Sequence, residues 1–232
     1  MPKVRISYFS DVLCIWAYAA QRRLDQLIEK FGSDLSVDTH YCSVFPDAWG
    51  KIEEKWKDRG GFEGFNRHTN EVALKFPHIE VHDRLWLETR PRTSASAHMF
   101  LKAVEIIERG GDARGEHPVP YSQQLSTRAA WELRRAFFAA AKDVSDWRVH
   151  REVAEHLGID YDEVEEKIRS SEAVASFAVD IGLAQKLGIE GSPTFVMNDG
   201  RQKLFGNVGY RVLEANVQEL QRGTDGDLAS WC

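Results

Sequence analysis

The residue best placed to do chemistry is Cys14. It follows an alternating run, Val4, Ile6 and Tyr8 against Lys3, Arg5 and Ser7, and stands immediately before a helical pattern. A thiol at a helix N-terminus faces backbone N–H groups that lack intrahelical partners and the positive end of the helix dipole. Both favour the thiolate, so this placement predicts a nucleophile with a pKa below the ~8.5 of a free thiol. The competing reading is a buried structural cysteine. The second feature is Ser192-Pro193-Thr194, where a proline stands directly ahead of a β-type run. An X-Pro bond has an appreciable cis population, and a proline here interrupts what would otherwise be ladder.

The flanking elements must bring these two segments together. The first unit reads as strand, helix, strand: positions 4–9, then Ala17, Ala20, Leu24, Leu27, Ile28 and Phe31 on one helical stripe ending at Gly32, then Leu35, Val37 and Tyr41. A helix between two strands predicts parallel neighbours. Near the other end, Val174, Phe177, Ala178, Ile181 and Leu187 mark a helix, with Ser170 or Ser171 as N-cap and Gly188 as its stop. Thr194–Met197 and Lys203–Phe205 read as an antiparallel pair around Asn198-Asp199-Gly200, before a last helix carrying Val212, Leu213, Val217 and Leu220. Positions 45–170 read as predominantly helical, most clearly at Ala95–Glu108 and Ala129–Ala141. The stretch Gly60–Pro77 is ambiguous, and DYDEVEEK reads as a solvated helix face.

Composition narrows the function classes. Thirty basic and 36 acidic residues give a net charge of −6, which offers no general attraction to nucleic acid or an anionic membrane. No run reaches the roughly 18 apolar residues of a membrane span, and the N-terminus lacks a secretory pattern. Three cysteines do not make a disulfide framework, so a reducing, cytoplasmic setting is expected. No metal is expected either. His78 and His82 are four apart, but Ile79 and Val81 between them suggest extended chain, where that spacing does not chelate. His40 is within conceivable reach of Cys14, yet reads better as a solvated strand residue. Arg90-Pro91-Arg92 ahead of Thr93 or Ser94 could bind a carboxylate, with an exposed loop the better reading.

The segments YFSDVLCIWAY, GIEGSPTFVMNDGRQKLFG and GNVGYRVLEANVQEL resemble the DsbA-like branch of the thioredoxin superfamily. That branch includes cytoplasmic DsbA-type oxidoreductases, kappa-class glutathione transferases and 2-hydroxychromene-2-carboxylate isomerases. The resemblance implies an α/β thioredoxin fold with a large α-helical insertion, its thioredoxin-like part formed by residues 1–44 and 172–232 and its insertion by 45–171. It implies a cis Pro193 packed beside the thiol, and Ser192 and Trp16 as its thiol-binding surroundings.

The sequence departs from the oxidoreductase pattern, SDxxCPWC, at Ala17, where a resolving cysteine would stand. Cys14 can then form a mixed disulfide but cannot resolve it locally. Cys42, at the end of the second strand, and Cys232, the last residue, are candidate resolving thiols; otherwise an external thiol, most naturally glutathione, closes the cycle. The leading expectation is a monothiol, glutathione-linked oxidoreductase acting on a small-molecule thiol or disulfide, with Cys14 as nucleophile. The second is a glutathione-dependent isomerase or transferase on a small aromatic compound, with Trp49, Trp56 and Trp86 as candidate cleft liners and a serine matching Cys14 in the relatives. The third is a non-catalytic thioredoxin-fold binding protein. The sequence leaves open whether the chain pairs as a homodimer.

Overall fold

The computed structural model describes residues 3–111 and 119–222. Four strands form one sheet among them: β1 (Val4–Ser10), β2 (Leu35–Tyr41), β3 (Thr194–Met197) and β4 (Gln202–Phe205), in the order β2-β1-β3-β4. β1 pairs parallel with β2, and β3 runs antiparallel to both β1 and β4. The parallel pair follows from the helix between them, α1 (Ile15–Phe31), because a crossover must return the chain to the same sheet end.

Between β2 and the sheet's return lie α2 (Ala48–Lys55), α3 (Gly61–Ala73), α4 (Leu85–Glu88), α5 (Ala95–Glu108), α6 (Leu125–Phe138), α7 (Trp147–Leu157), α8 (Tyr161–Arg169) and α9 (Glu172–Lys186). α10 (Tyr210–Gln221) follows β4. The ambiguous Gly60–Pro77 stretch is largely helical. Its glycines hide the period but are required: a Cβ on Gly64 would sit 1.8 Å from the Arg59 carbonyl oxygen. The helix read at Ala129–Ala141 begins instead at Leu125, where the Glu108 carboxylate accepts from the Leu125 and Ser126 N–H groups. It stops at Phe138, before Ala141 turns to φ 48°.

Two apolar cores meet at the C-terminal end of β1. On one sheet face, Val4, Ile6, Tyr8, Phe195 and Met197 pack against Leu24 and Leu27 of α1 and Leu213 and Val217 of α10. A larger core joins Val12, Leu13, Ile15 and Tyr18 to Trp86, Phe100, Leu133 and Phe137 of the helical segment. The loop carrying Cys14 therefore lies on the seam. Across the other face, His40 is neither a solvated strand residue nor a neighbour of Cys14. Its Nδ1 lies 2.8 Å from Asp180 Oδ1 on α9, its ring stacks on Phe9, and Asp180 also accepts from the Tyr41 N–H and pairs with Lys102 at 3.3 Å.

His150 gives this packing a pH dependence. Its Nε2 bonds the Val144 carbonyl at 2.8 Å, its ring stacks on Phe100, and its Nδ1 has no partner. Burial pushes its pKa down to about 4. Between pH 6.5 and 4 the unfolded chain gains a proton at this residue that the folded chain refuses. Stability from this source is whole above pH 6.5 and should fall by about 3 kcal/mol as pH drops to 4. Chemical denaturation at stepped pH should show the loss, and a His150→Leu variant should show a correspondingly flatter profile.

Candidate active site

Cys14 is the N-cap residue of α1, with φ −85° and ψ 112°, and its own carbonyl accepts from Ala17 and Tyr18 N–H. The side chain is 7% exposed. Its Sγ donates to the Ser192 carbonyl oxygen at 3.1 Å, and the Ser192–Pro193 peptide bond is cis. Ser192 also accepts, through Oγ, from the Asp11 N–H at 2.9 Å. One residue thus ties the β1–α1 loop to the turn ahead of β3, and two segments 178 positions apart share one site.

The thiol itself does not follow the helix-terminus expectation. Burial pushes the Cys14 pKa up; backbone N–H groups of Ala17 and Trp16 and the contact with Ser192 pull the other way, and the nearby Asp11 charge adds to the rise. Desolvation outweighs the helix end here because so little of the sulfur reaches water, and a charged group in a low-dielectric setting loses more than a few aligned dipoles return. In this closed arrangement Cys14 is a thiol. Reaching the thiolate here takes deprotonation against that burial.

Asp11 organises the site, and the sequence reading passed over it. It is wholly buried. Its Oδ1 accepts from the Leu13 N–H at 2.9 Å; its Oδ2 accepts from the Val44 and Phe45 N–H groups at 2.9 and 3.1 Å and from Ser94 Oγ at 2.8 Å. Four donors from three segments converge on one carboxylate, which fixes the approach to Cys14 and the end of β2 together. Ser94, read as a helix start, does precede α5, but its hydroxyl serves Asp11 rather than the helix. Beside them, His98 Nε2 accepts from the Val12 N–H at 3.2 Å, and burial lowers its pKa, keeping the ring neutral.

The other candidates fall into place around this centre. Trp16 is half-buried, with Phe76 edge-on at 6.2 Å and the His68 ring at 6.4 Å. Trp56 also packs against His68, at 5.1 Å. Of the other tryptophans, Trp86 is fully buried in the core, and Trp49 donates to the Arg90 carbonyl beneath Arg92, so neither faces the thiol as a liner. Arg90 lies over Phe62 and Arg92 pairs with Asp47 at 3.5 Å, both spent locally. His78 bonds the Ala19 carbonyl while His82 accepts from the Arg84 N–H, so the two point to different partners.

Cys42 follows β2, and its N–H bonds the Ser10 carbonyl at 3.0 Å. Its side chain packs with Phe9, Ala184 and Val196, and burial raises its pKa strongly, helped by the nearby Asp11 charge. Cys232 lies outside the described residues. Ala17 is fully buried. Lys51, unread in the sequence, donates to the Val44 carbonyl at 2.5 Å and lies close to Asp11, Cys14 and Cys42. Among the described residues no helix is long and apolar enough to cross a membrane.

A βαβ unit returning through an antiparallel ββα end, with a helix-terminal thiol against a cis-proline turn, defines a thioredoxin-fold protein, here with helices inserted between β2 and α9. Residues 119–218 match the family model of the DSBA-like thioredoxin domain. None of the curated proteins matches the sequence significantly. Among solved structures, a Nitrosomonas europaea protein assigned as a protein disulfide isomerase superposes with a TM-score of 0.75 at 16% identity, covering 95% of this chain and 99% of that one. The cytosolic disulfide reductase DsbM from Pseudomonas aeruginosa, with GSH, gives 0.66 at 20% identity, covering 94% and 99%. A 2-hydroxychromene-2-carboxylate isomerase gives 0.63 at 18% identity, covering 97% and 100%. At these identities the likeness is one of fold.

Proposed function

We propose that the chain is a cytoplasmic thiol-disulfide oxidoreductase of the DsbA-like type, working as a monothiol with glutathione. The observation that carries this reading is the 3.1 Å contact between Cys14 Sγ and the Ser192 carbonyl, made where Ala17 fills the place of a resolving thiol. The Cys14 thiolate attacks one sulfur of a disulfide, forming a mixed disulfide and releasing the other sulfur as a thiolate. A glutathione thiolate then attacks the glutathione-bearing or substrate sulfur, returning Cys14 as thiolate and leaving the new disulfide outside the protein. Ser192 and Pro193 offer backbone against which an extended thiol peptide can lie, and Trp16 flanks it. The fold neighbour DsbM, a cytosolic disulfide reductase with GSH, supports both the chemistry and the setting.

The test is Ala17→Cys. A resolving thiol one helical turn from Cys14 makes release intramolecular, so reduction of a protein disulfide should rise about tenfold or more over the parent. Because Ala17 is fully buried, the added sulfur should also cost about 1–3 kcal/mol of stability. A folded variant whose two thiols oxidise to a disulfide, yet which gains no activity, contradicts the DsbA-like geometry.

A second reading rests on the aromatic cluster of Trp16, His68, Trp56 and Phe76, which Trp16 joins to the Cys14 segment. Such a cluster suits a flat apolar co-substrate and favours a glutathione-dependent isomerase or transferase. Conjugation or isomerisation of small aromatic compounds without disulfide reduction would select it; silence in both assays with tight peptide binding would select a binding protein.

A further inference from the structure

Arg134 of α6 is 2% exposed, yet among the described residues no carboxylate pairs with it. Its Nη2 donates to Ser10 Oγ at 2.7 Å, and its Nε has no partner. The hydroxyl of Tyr8 is buried as well, close to Ser10 but without a hydrogen bond of good geometry. These groups share one place. Tyr8 and Ser10 project from the same face of β1, and the parallel register sets Thr39 beside Tyr8 and Tyr41 beside Ser10. Tyr121 closes the ring with its hydroxyl 3.4 Å from Thr39 Oγ1. The Arg134 charge is felt by the phenols of Tyr8, Tyr41 and Tyr121.

A guanidinium offers five N–H donors and no acceptor, and a phenol can donate. The nest therefore holds one positive charge and surplus donors, and the neutral Ser10 hydroxyl cannot balance the charge. A buried charge persists when it is paired. Asp25 feels the Arg134 charge, but its oxygen is bonded by Gln21, and among the described residues neither it nor the buried Asp11 and Asp180 forms an ion pair with the guanidinium. Gln21 and Asp25 line a cavity of about 320 Å³ with Thr127, Arg128 and Trp131. Thr127 and Trp131 stand seven and three residues before Arg134, on the same face of α6.

We propose that the Arg134 nest is a binding site for a small monovalent anion of the chloride type, held by Arg134 Nε and the Tyr8 hydroxyl. The site is separate from Cys14 and stands whether or not the redox reading does. Thermal unfolding of the full chain in sodium chloride, sodium bromide and sodium gluconate at matched ionic strength tests it. Chloride and bromide should raise the melting temperature saturably, and gluconate, too large for a buried nest, should not. Crystals grown with bromide should show its anomalous signal within hydrogen-bond reach of Arg134 Nε. Tyr8→Phe keeps the ring and removes one donor, so it should raise the half-saturating bromide concentration about tenfold. Equal melting in chloride and gluconate, water in place of bromide, or an unchanged midpoint in Tyr8→Phe would each overturn the assignment.

Discussion

Asp11→Ala should bring the protein to the edge of unfolding, losing on the order of 5 kcal/mol. The carboxylate accepts from Leu13, Val44 and Phe45 N–H groups and from Ser94 Oγ, all within 3.1 Å. Each buried donor left without an acceptor costs about 1–3 kcal/mol, and the four are not additive because the loops can relax toward water. The total is comparable with the ~5–15 kcal/mol by which domains are stable at all. Asp11→Asn is the informative partner: one oxygen survives, while the amide group meets donors rather than acceptors. It should lose less, and it removes a negative charge that raises the Cys14 pKa. Its alkylation profile should therefore move to lower pH even as its denaturation midpoint falls. A variant that loses stability with an unmoved thiol titration would separate Asp11 from the thiol's electrostatics.

The second large effect is at Cys14 itself. Cys14→Ser should abolish disulfide exchange, by at least ~10³-fold, because an alcohol neither ionises near neutral pH nor forms a disulfide. Stability should change by less than about 1 kcal/mol, since the hydroxyl can still donate to the Ser192 carbonyl. The same variant divides the two enzymatic readings. An isomerase or transferase that only needs a donor beside a glutathione thiolate would keep activity with serine here, as the resemblance to those enzymes implies; a monothiol oxidoreductase would not.

The parts of this site that were legible in the sequence are those whose chemistry is local. Cys14 stands between a strand pattern and a helix pattern, and Ser192-Pro193 interrupts a strand, so both announce themselves within a few residues. The parallel β1–β2 pair and the antiparallel β3–β4 pair followed from the same signals. Asp11 was invisible because its four donors come from positions 13, 44, 45 and 94, and nothing about one aspartate in a loop records them. His40 was misplaced for the same reason: its partner Asp180 is 140 residues away. Nothing local marks Arg134 as buried: its contact is with Ser10 Oγ, 124 positions away. The Cys14 pKa was misjudged because helix position can be read from sequence and burial at a seam between two cores cannot.

The account turns on whether Cys14 forms a mixed disulfide that an external thiol must resolve. Time-resolved intact mass of the full chain with glutathione disulfide, followed by peptide mapping, reads this directly. The account predicts one glutathione adduct per chain, mapped to Cys14, forming faster as pH rises because the buried thiol must first ionise, and persisting until reduced glutathione removes it. Absence of an adduct at Cys14 at millimolar glutathione disulfide would contradict it, as would spontaneous conversion of the adduct to an internal disulfide with Cys42 or Cys232.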